Sequence, residues 1–327
     1  MNILWALSEI RTPVFNQIFQ LITYLGQELF LIGVLCALYW CIDKKLATQI
    51  GLTYVCAGLC VQSLKITFRI PRPWVLDPEF KAVKSAIPAA TGYSFPSGHT
   101  QGGTSLFAPL ALASKKKIWK CVFTAIFLLI GFSRMYLGCH TPKDVLTAMG
   151  LSLAFALLIW KFRSALENPL SVKWISLISA IAAIVVCIYS YMLYSGDVIE
   201  AHYVSDCFKA SGAAFGFGLG WYLEKRYLNF STEITPHCTA AHAGLAAHTT
   251  PSPDIQAKSR HSDMFDSTKQ KILRFLIGIV ITAFLQSGMN ALMGHTLAGQ
   301  TLQHALIIFW IIFLYPWCFS YCSFRSL

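Results

Sequence analysis

Three short groups of residues in this chain could do chemistry together. Lys65 is followed, after six residues, by Arg72-Pro73. Pro96-Ser97-Gly98-His99 stands just ahead of the apolar run Leu106 to Ala113. Ser133-Arg134 is followed after five residues by His140, and three more separate His140 from Asp144. Proline is tolerated in the first turn of a helix, where its missing N–H costs nothing. A helix starting near Ser97 would aim its free backbone N–H groups and positive dipole end beyond that serine, which favours an anion such as phosphate. Each group also has a plainer reading. Ser97 to His99 could be an ordinary helix start with a surface histidine. Lys65 could be a span end whose amine snorkels to the interface. Thr141 and Asp144 could be no more than the N-cap and N3 residues of a helix beginning at Pro142.

The elements that must position these groups are membrane helices. Of 327 residues, 55% are hydrophobic, 14% aromatic and 13% charged, and the mean hydropathy is +0.55. An average soluble chain carries roughly 25% charged residues. Apolar length predicts an all-α, polytopic membrane bundle with spans at Ile22–Ile42, Leu46–Ile66, Ser97–Ala113, Ile118–Phe132, Pro142–Trp160, Trp174–Tyr194, Cys207–Leu223, Ile272–Met293 and Leu302–Cys322. That is about nine crossings at roughly 18 residues or more for a typical span, or ten if the first residues also span. Between Thr12 and Leu25 the apolar Val14, Phe15, Ile18, Phe19, Leu21, Ile22 and Leu25 oppose Asn16, Gln17 and Gln20. This pattern suits a helix lying in the interface or a first span. Residues 1–20 carry Glu9 and Arg11 and no compact apolar core, so no cleavable signal peptide is expected.

Charge sets the orientation. Lys44-Lys45, Lys115 to Lys117 with Lys120, Lys161 to Arg163, and Lys225-Arg226 fall in alternate loops, which the positive-inside rule makes cytoplasmic. The loops around 67–95, 133–141, 195–203 and 294–300 are then extracytoplasmic. Two of these regions nevertheless hold Arg69, Arg72, Lys81, Lys84, Arg134 and Lys143. Basic residues on that side need a local reason, and an anion site supplies one. All three reactive groups fall on this same face, which the plain readings do not explain. The net charge of +11 thus has two sources besides nucleic acid, for which no motif is found. The 11 cysteines lie mostly in apolar runs and read as small buried hydrophobes, not a disulfide framework. Four segments follow: a core over 1–161, two more spans over 162–226, a flexible polar cytoplasmic loop over 227–268, and two final spans over 269–327. The loop holds His237, Cys238, His242, His248 and His261, whose spacing fits no zinc pattern well.

With all three groups in order, the chain resembles the type-2 phosphatidic acid phosphatase and vanadium haloperoxidase superfamily. Lys65 with Arg72-Pro73, Pro96-Ser97-Gly98-His99, and Ser133-Arg134 with His140 and Asp144 match its three motifs at every position. The likeness covers about residues 1–161. It implies that Lys65, Arg72, Arg134, Ser97 and backbone near Gly98 bind phosphoryl oxygens, the dominant contribution in phosphoryl transfer. It implies that His140 attacks phosphorus, Asp144 fixes its tautomer, and His99 protonates the leaving group. No metal or cofactor is implied, because the cationic side chains supply the electrostatics. The implied protein is an integral bacterial plasma-membrane enzyme with its site facing outside, and its implied substrate is a lipid phosphate or diphosphate. Phosphatidate, phosphatidylglycerol phosphate and undecaprenyl diphosphate are the family's usual substrates; Lys81 and Lys84 could bind a second phosphate or the lipid surface. A lipid phosphotransferase with the same site is the nearest rival, and a transporter binding an anion without chemistry is a rival from another class. Haloperoxidase members are soluble, which argues against that branch. Oligomeric state is not legible.

Overall fold

The computed structural model describes the backbone of residues 1–232 and 253–325 and the side chains of 1–232 and 268–320. Among the described residues every regular element is helical. The chain runs through α1 (Asn2–Glu9), α2 (Pro13–Tyr24), α3 (Glu28–Ala37), α4 (Lys44–Phe68), the single turn α5 (Pro73–Leu76), α6 (Gly98–Ala113), α7 (Lys117–Tyr136) and α8 (Pro142–Lys161). It continues through α9 (Pro169–Ser195), α10 (Ala201–Leu223), α11 (Pro253–Met293), α12 (Leu297–Phe309) and α13 (Tyr315–Arg325). Wide π turns extend α3 over Leu38–Ile42 and α10 over Glu224–Leu228, and join α12 to α13 over Trp310–Leu314.

Local chemistry starts these helices where the sequence says. Short polar side chains take the orphan N–H groups of the first turn. Thr12 accepts from Phe15, Asp43 from Leu46, Ser97 from Thr100 and Asn168 from Leu170. Thr141 and Asp144 form a capping box at the head of α8, as their spacing predicts. Lys65 lies in the last turn of α4, His99 in the first turn of α6, Arg134 in the last turn of α7 and Asp144 in the first turn of α8. Successive helices pass in opposite directions, so all four arrive at one end of the bundle.

The beginning of the chain differs from expectation. The helices divide at residues 25–27, not near residue 22, and α2 meets α3 with a 48° bend. A Cβ at Gly26 would lie 2.5 Å from the carbonyl oxygen of His99, so only glycine lets the bend press against the first turn of α6. The α2 helix is also turned inside out relative to a soluble one. Val14, Phe15, Ile18 and Leu21 are exposed while Gln20 and Thr23 are buried, the arrangement expected of a helix bathed in lipid.

Six helices among the described residues are long and apolar enough to cross a membrane, and the bent α2–α3 pair makes a seventh. The nine expected crossings are not reached, because α6 and α10 fall short. In α6 every residue from Thr100 to Pro109 is buried. In α10, Gly212 and Gly216 lie so close to Thr301 and Ala305 of α12 that a Cβ at either would collide with backbone. Helices enclosed by other helices need little apolar surface of their own, so hydropathy understates them. One hydrophobic cluster runs from Leu31 through Leu106, Phe217 and Tyr315, binding the later helices to the earlier ones. The polar segment read as a loop over 227–268 is helical from Pro253 onward. Residues 233–252, with His237, Cys238, His242 and His248, lie outside the described residues, as does the side chain of His261.

Candidate active site

Arg72 is the hub of the site. It is buried just ahead of α5, where Pro73 occupies the first helical position. Its Nε donates to the Gly92 carbonyl at 2.9 Å and its Nη2 to the Thr91 carbonyl at 2.7 Å. Its Nη1 donates to the Cys139 carbonyl at 3.0 Å and stands 2.8 Å from His140 Nε2. Lys65 donates from Nζ to the next carbonyl of the same loop, that of Tyr93, at 2.8 Å. Residues 91–93 therefore hold two cations through main-chain oxygens.

The contact between Arg72 and His140 settles a proton position. A guanidinium can only donate, so Nε2 of His140 presents its lone pair and the ring proton sits on Nδ1. That nitrogen faces Asp144, with 3.7 Å from Nδ1 to Oδ2, beyond hydrogen-bond length. The same Oδ2 accepts from Ser94 Oγ at 2.6 Å and from the Thr141 N–H at 2.7 Å. Asp144 thus performs the capping role the sequence allowed and also lies beside the imidazole. His140 occupies the short link between α7 and α8, and burial pushes its pKa well below the ordinary imidazole value. The positive charges of Arg72, Arg134 and Lys65 push it further the same way. His140 is neutral at neutral pH.

Around this pair several buried polar atoms have no partner among the described residues: Arg134 Nε and Nη2, His99 Nε2, His140 Nδ1 and Asp144 Oδ1. Arg134 is fully buried and spends only Nη1, on Thr23 Oγ1 at 3.1 Å. Buried polar groups are nearly always paired, and such exceptions need a reason. Ser97 Oγ accepts from Thr100 Oγ1 at 2.9 Å and from the Thr100 N–H at 3.4 Å, which leaves its own hydroxyl proton to give. Nothing lies within 4 Å of the place a Cβ on Gly98 would take. The charges acting here are three cations against Asp144, with open donors on Arg134 and Ser97. Such a site is built to receive an oxyanion.

All eight residues singled out from the sequence are thus brought to one end of the bundle. Lys81, Lys84 and Lys143 are exposed instead. Thr23 and Ser94, which sequence reasoning passed over, are buried partners of Arg134 and Asp144. Thr23 had a faint signal, since it continues the polar stripe of Gln20 on α2; Ser94 had none. Among the described residues no set of three His, Cys, Asp or Glu side chains is grouped as a metal would require.

Comparison with known proteins agrees with this architecture. Residues 46–168 match the PAP2 superfamily, and residues 255–326 match the transmembrane extension of PAP2 superfamily phosphatases. The chain carries a PAP2 superfamily domain. Over 126 residues it is 32% identical to undecaprenyl-diphosphatase BcrC of Bacillus subtilis, a match spanning 38% of this chain and 62% of that protein. Over 170 residues it is 26% identical to phosphatidylglycerophosphatase B of the same organism, covering 49% of this chain and 80% of the relative. Human sphingosine-1-phosphate phosphatase 2 is 29% identical over 171 residues, covering 49% of this chain and 41% of that protein. The eight residues singled out from the sequence and Ser94 lie within the PAP2 match, and Thr23 lies ahead of it; α9 and α10 lie between the two matched stretches.

Proposed function

We propose that this PAP2 protein is a lipid phosphatase that removes a terminal phosphoryl group from a lipid phosphate or diphosphate through a phosphohistidine. The observation that carries the reading is the neutral His140, whose Nε2 lone pair stands among Arg72, Arg134 and Lys65. Entry of the substrate draws Arg72 Nη1 from Nε2 onto a phosphoryl oxygen, which uncovers the nucleophile. Arg134 gives its unpartnered N–H groups to the same phosphoryl group, and Ser97 gives its hydroxyl. Nε2 then bonds to phosphorus while the P–O bond to the lipid breaks. His99 supplies the proton that the leaving alkoxide or phosphate takes up. The Nδ1 proton remains on His140, and Asp144 offsets the positive charge that develops on the ring. In the second half a water gives a proton to His99 and its oxygen attacks phosphorus. The P–N bond breaks and inorganic phosphate leaves.

The names of the relatives span a lipid diphosphate, a phosphatidylglycerophosphate and a sphingoid phosphate, so the shared chemistry is a terminal phosphoryl group on an apolar body. A site at the helix ends suits such a molecule, its tail in the bilayer and its head among the cations. We place this end outside the cytoplasm, from the distribution of Lys and Arg, in a bacterial plasma membrane. We count nine crossings, with α6 and α10 included as helices shielded by their neighbours. The test is phosphate release by the purified protein in detergent, from one lipid monoester and one lipid diphosphate. Release by the wild type and its loss in His140→Ala, with activity unaffected by EDTA, is the expected result. Undiminished release in His140→Ala, or EDTA inhibition reversed by magnesium or zinc, would overturn the mechanism.

A further inference from the structure

The helix α10 belongs to neither stretch that matches the family, yet its first turns reach the cation cradle. The Tyr203 ring lies flat on Tyr93, with centroids 3.9 Å apart and planes 8° from parallel. His202 packs on Tyr203 in turn, at 3.7 Å between centroids. A Cβ at Gly92 would come within 3.6 Å of the Tyr203 ring, so the ring covers the very residues whose carbonyls grip Arg72 and Lys65. Tyr203 also lies within electrostatic reach of Arg72. Three residues on, and so on the same helix face, Asp206 lies within electrostatic reach of Lys65. Asp206 itself is half-buried and stands 3.4 Å from Lys209.

We propose that α10 completes the phosphate site from outside the family-matched stretches: Tyr203 is a positioning residue that clamps the 91–93 loop, and Asp206 is a specificity-determining residue. This rests on reading the cradle as a phosphate site. The physical argument has two parts. Residues 91–93 form no helix, so the geometry of Lys65 and Arg72 is only as firm as the loop they are bonded to. A stacked aromatic pair supplies that firmness with few rotatable bonds. Asp206 adds a negative charge within electrostatic reach of Lys65, and so opposes any substrate that brings negative charge beyond the transferred phosphoryl group. A lipid diphosphate carries such a charge on its inner phosphate, and a monoester whose only phosphate is the transferred one does not.

The test uses the full-length protein in detergent, with kcat and KM for a lipid monoester and a lipid diphosphate and with binding of inorganic vanadate by calorimetry. Tyr203→Ala should raise KM and the vanadate Kd by up to about tenfold, the upper range for a stacked pair, with a smaller change in kcat. Tyr203→Phe keeps the ring and should stay near the wild type. Asp206→Asn, close to isosteric, should lower KM for the diphosphate by about threefold, the size expected of one charge in a high effective dielectric, and for the monoester by less. Tyr203→Ala kinetics matching the wild type, Tyr203→Phe as impaired as Tyr203→Ala, or Asp206→Asn acting equally on both lipids would each overturn the proposal. If Tyr203→Ala does not fold, Asp206→Asn decides it. If the wild type hydrolyses neither lipid, the phosphatase reading falls, and vanadate binding across the three variants still decides the role of α10.

Discussion

Replacing Arg134 by methionine should remove activity and leave the fold at least as stable. The side chain is fully buried, and only Nη1 has a partner, Thr23 Oγ1 at 3.1 Å. Its Nε and Nη2 have none among the described residues. A buried donor without a partner costs about 1–3 kcal/mol, and more when charged. Methionine has comparable length, adapts to irregular space and carries no strong donor. The lost Thr23 bond offsets part of the gain, at about 1.5–3 kcal/mol for a bond to a charged group. Arg134→Met should therefore lie between unchanged stability and a gain of about 2 kcal/mol, since well-packed apolar replacements of buried charges are often neutral or stabilising. Catalysis should respond in the opposite direction. Each preorganised donor to a developing charge is worth about 10²–10³ in kcat, so kcat should fall at least that far. Arg134→Lys keeps the charge without the planar fork and should fall between the two. The assay pairs thermal unfolding in detergent, with and without vanadate, with steady-state phosphate release. Vanadate should stabilise the wild type and not the methionine variant. A variant destabilised by more than about 3 kcal/mol that keeps activity within tenfold of the wild type would show Arg134 to be an anchor for α2, refuting its place in phosphate binding.

Three other outcomes follow from the same geometry. Because the His140 pKa is depressed, the ring stays neutral down through the ordinary imidazole value of about 6.5; the acid limb of kcat/KM should lie below that pH, where protonation removes the lone pair, and an acid limb centred above it in the wild type would contradict the assignment. Asp144→Asn keeps an acceptor for the Thr141 N–H and should cost under about 1 kcal/mol in thermal stability, while kcat falls about 10²-fold or more for lack of the carboxylate beside Nδ1; equal and small effects on both would make Asp144 a cap alone. Gly26→Ala drives a methyl to 2.5 Å from the His99 carbonyl and should lower stability and activity together by about 1–3 kcal/mol, read by unfolding and by phosphate release; an unperturbed variant would show that the α2–α3 bend can yield.

Much was legible before any coordinates. Helix starts at Ser97 and Thr141 follow from short polar caps and the prolines beside them, and these are local effects within a few residues. An all-helical membrane architecture follows from apolar length, since backbone polar groups in lipid must be paired within the segment. The spacing of Lys65, Arg72, His99, Arg134, His140 and Asp144 carried the family. What the sequence could not decide were contacts between residues far apart in the chain. Arg72 meets His140 across 68 residues, Ser94 meets Asp144 across 50, and Arg134 meets Thr23 across 111. Those contacts determine which nitrogen of His140 holds the proton, which arginine is occupied by carbonyls and which has donors to spare. Hydrophobic length counted α6 and α10 as crossings, whereas in the structure neither is long and apolar enough to stand as one, because a helix enclosed by other helices can stay short or polar. The residue types and their order are properties of the chain; the protonation, the open donors and the reach of α10 into the site arise only when the helices pack.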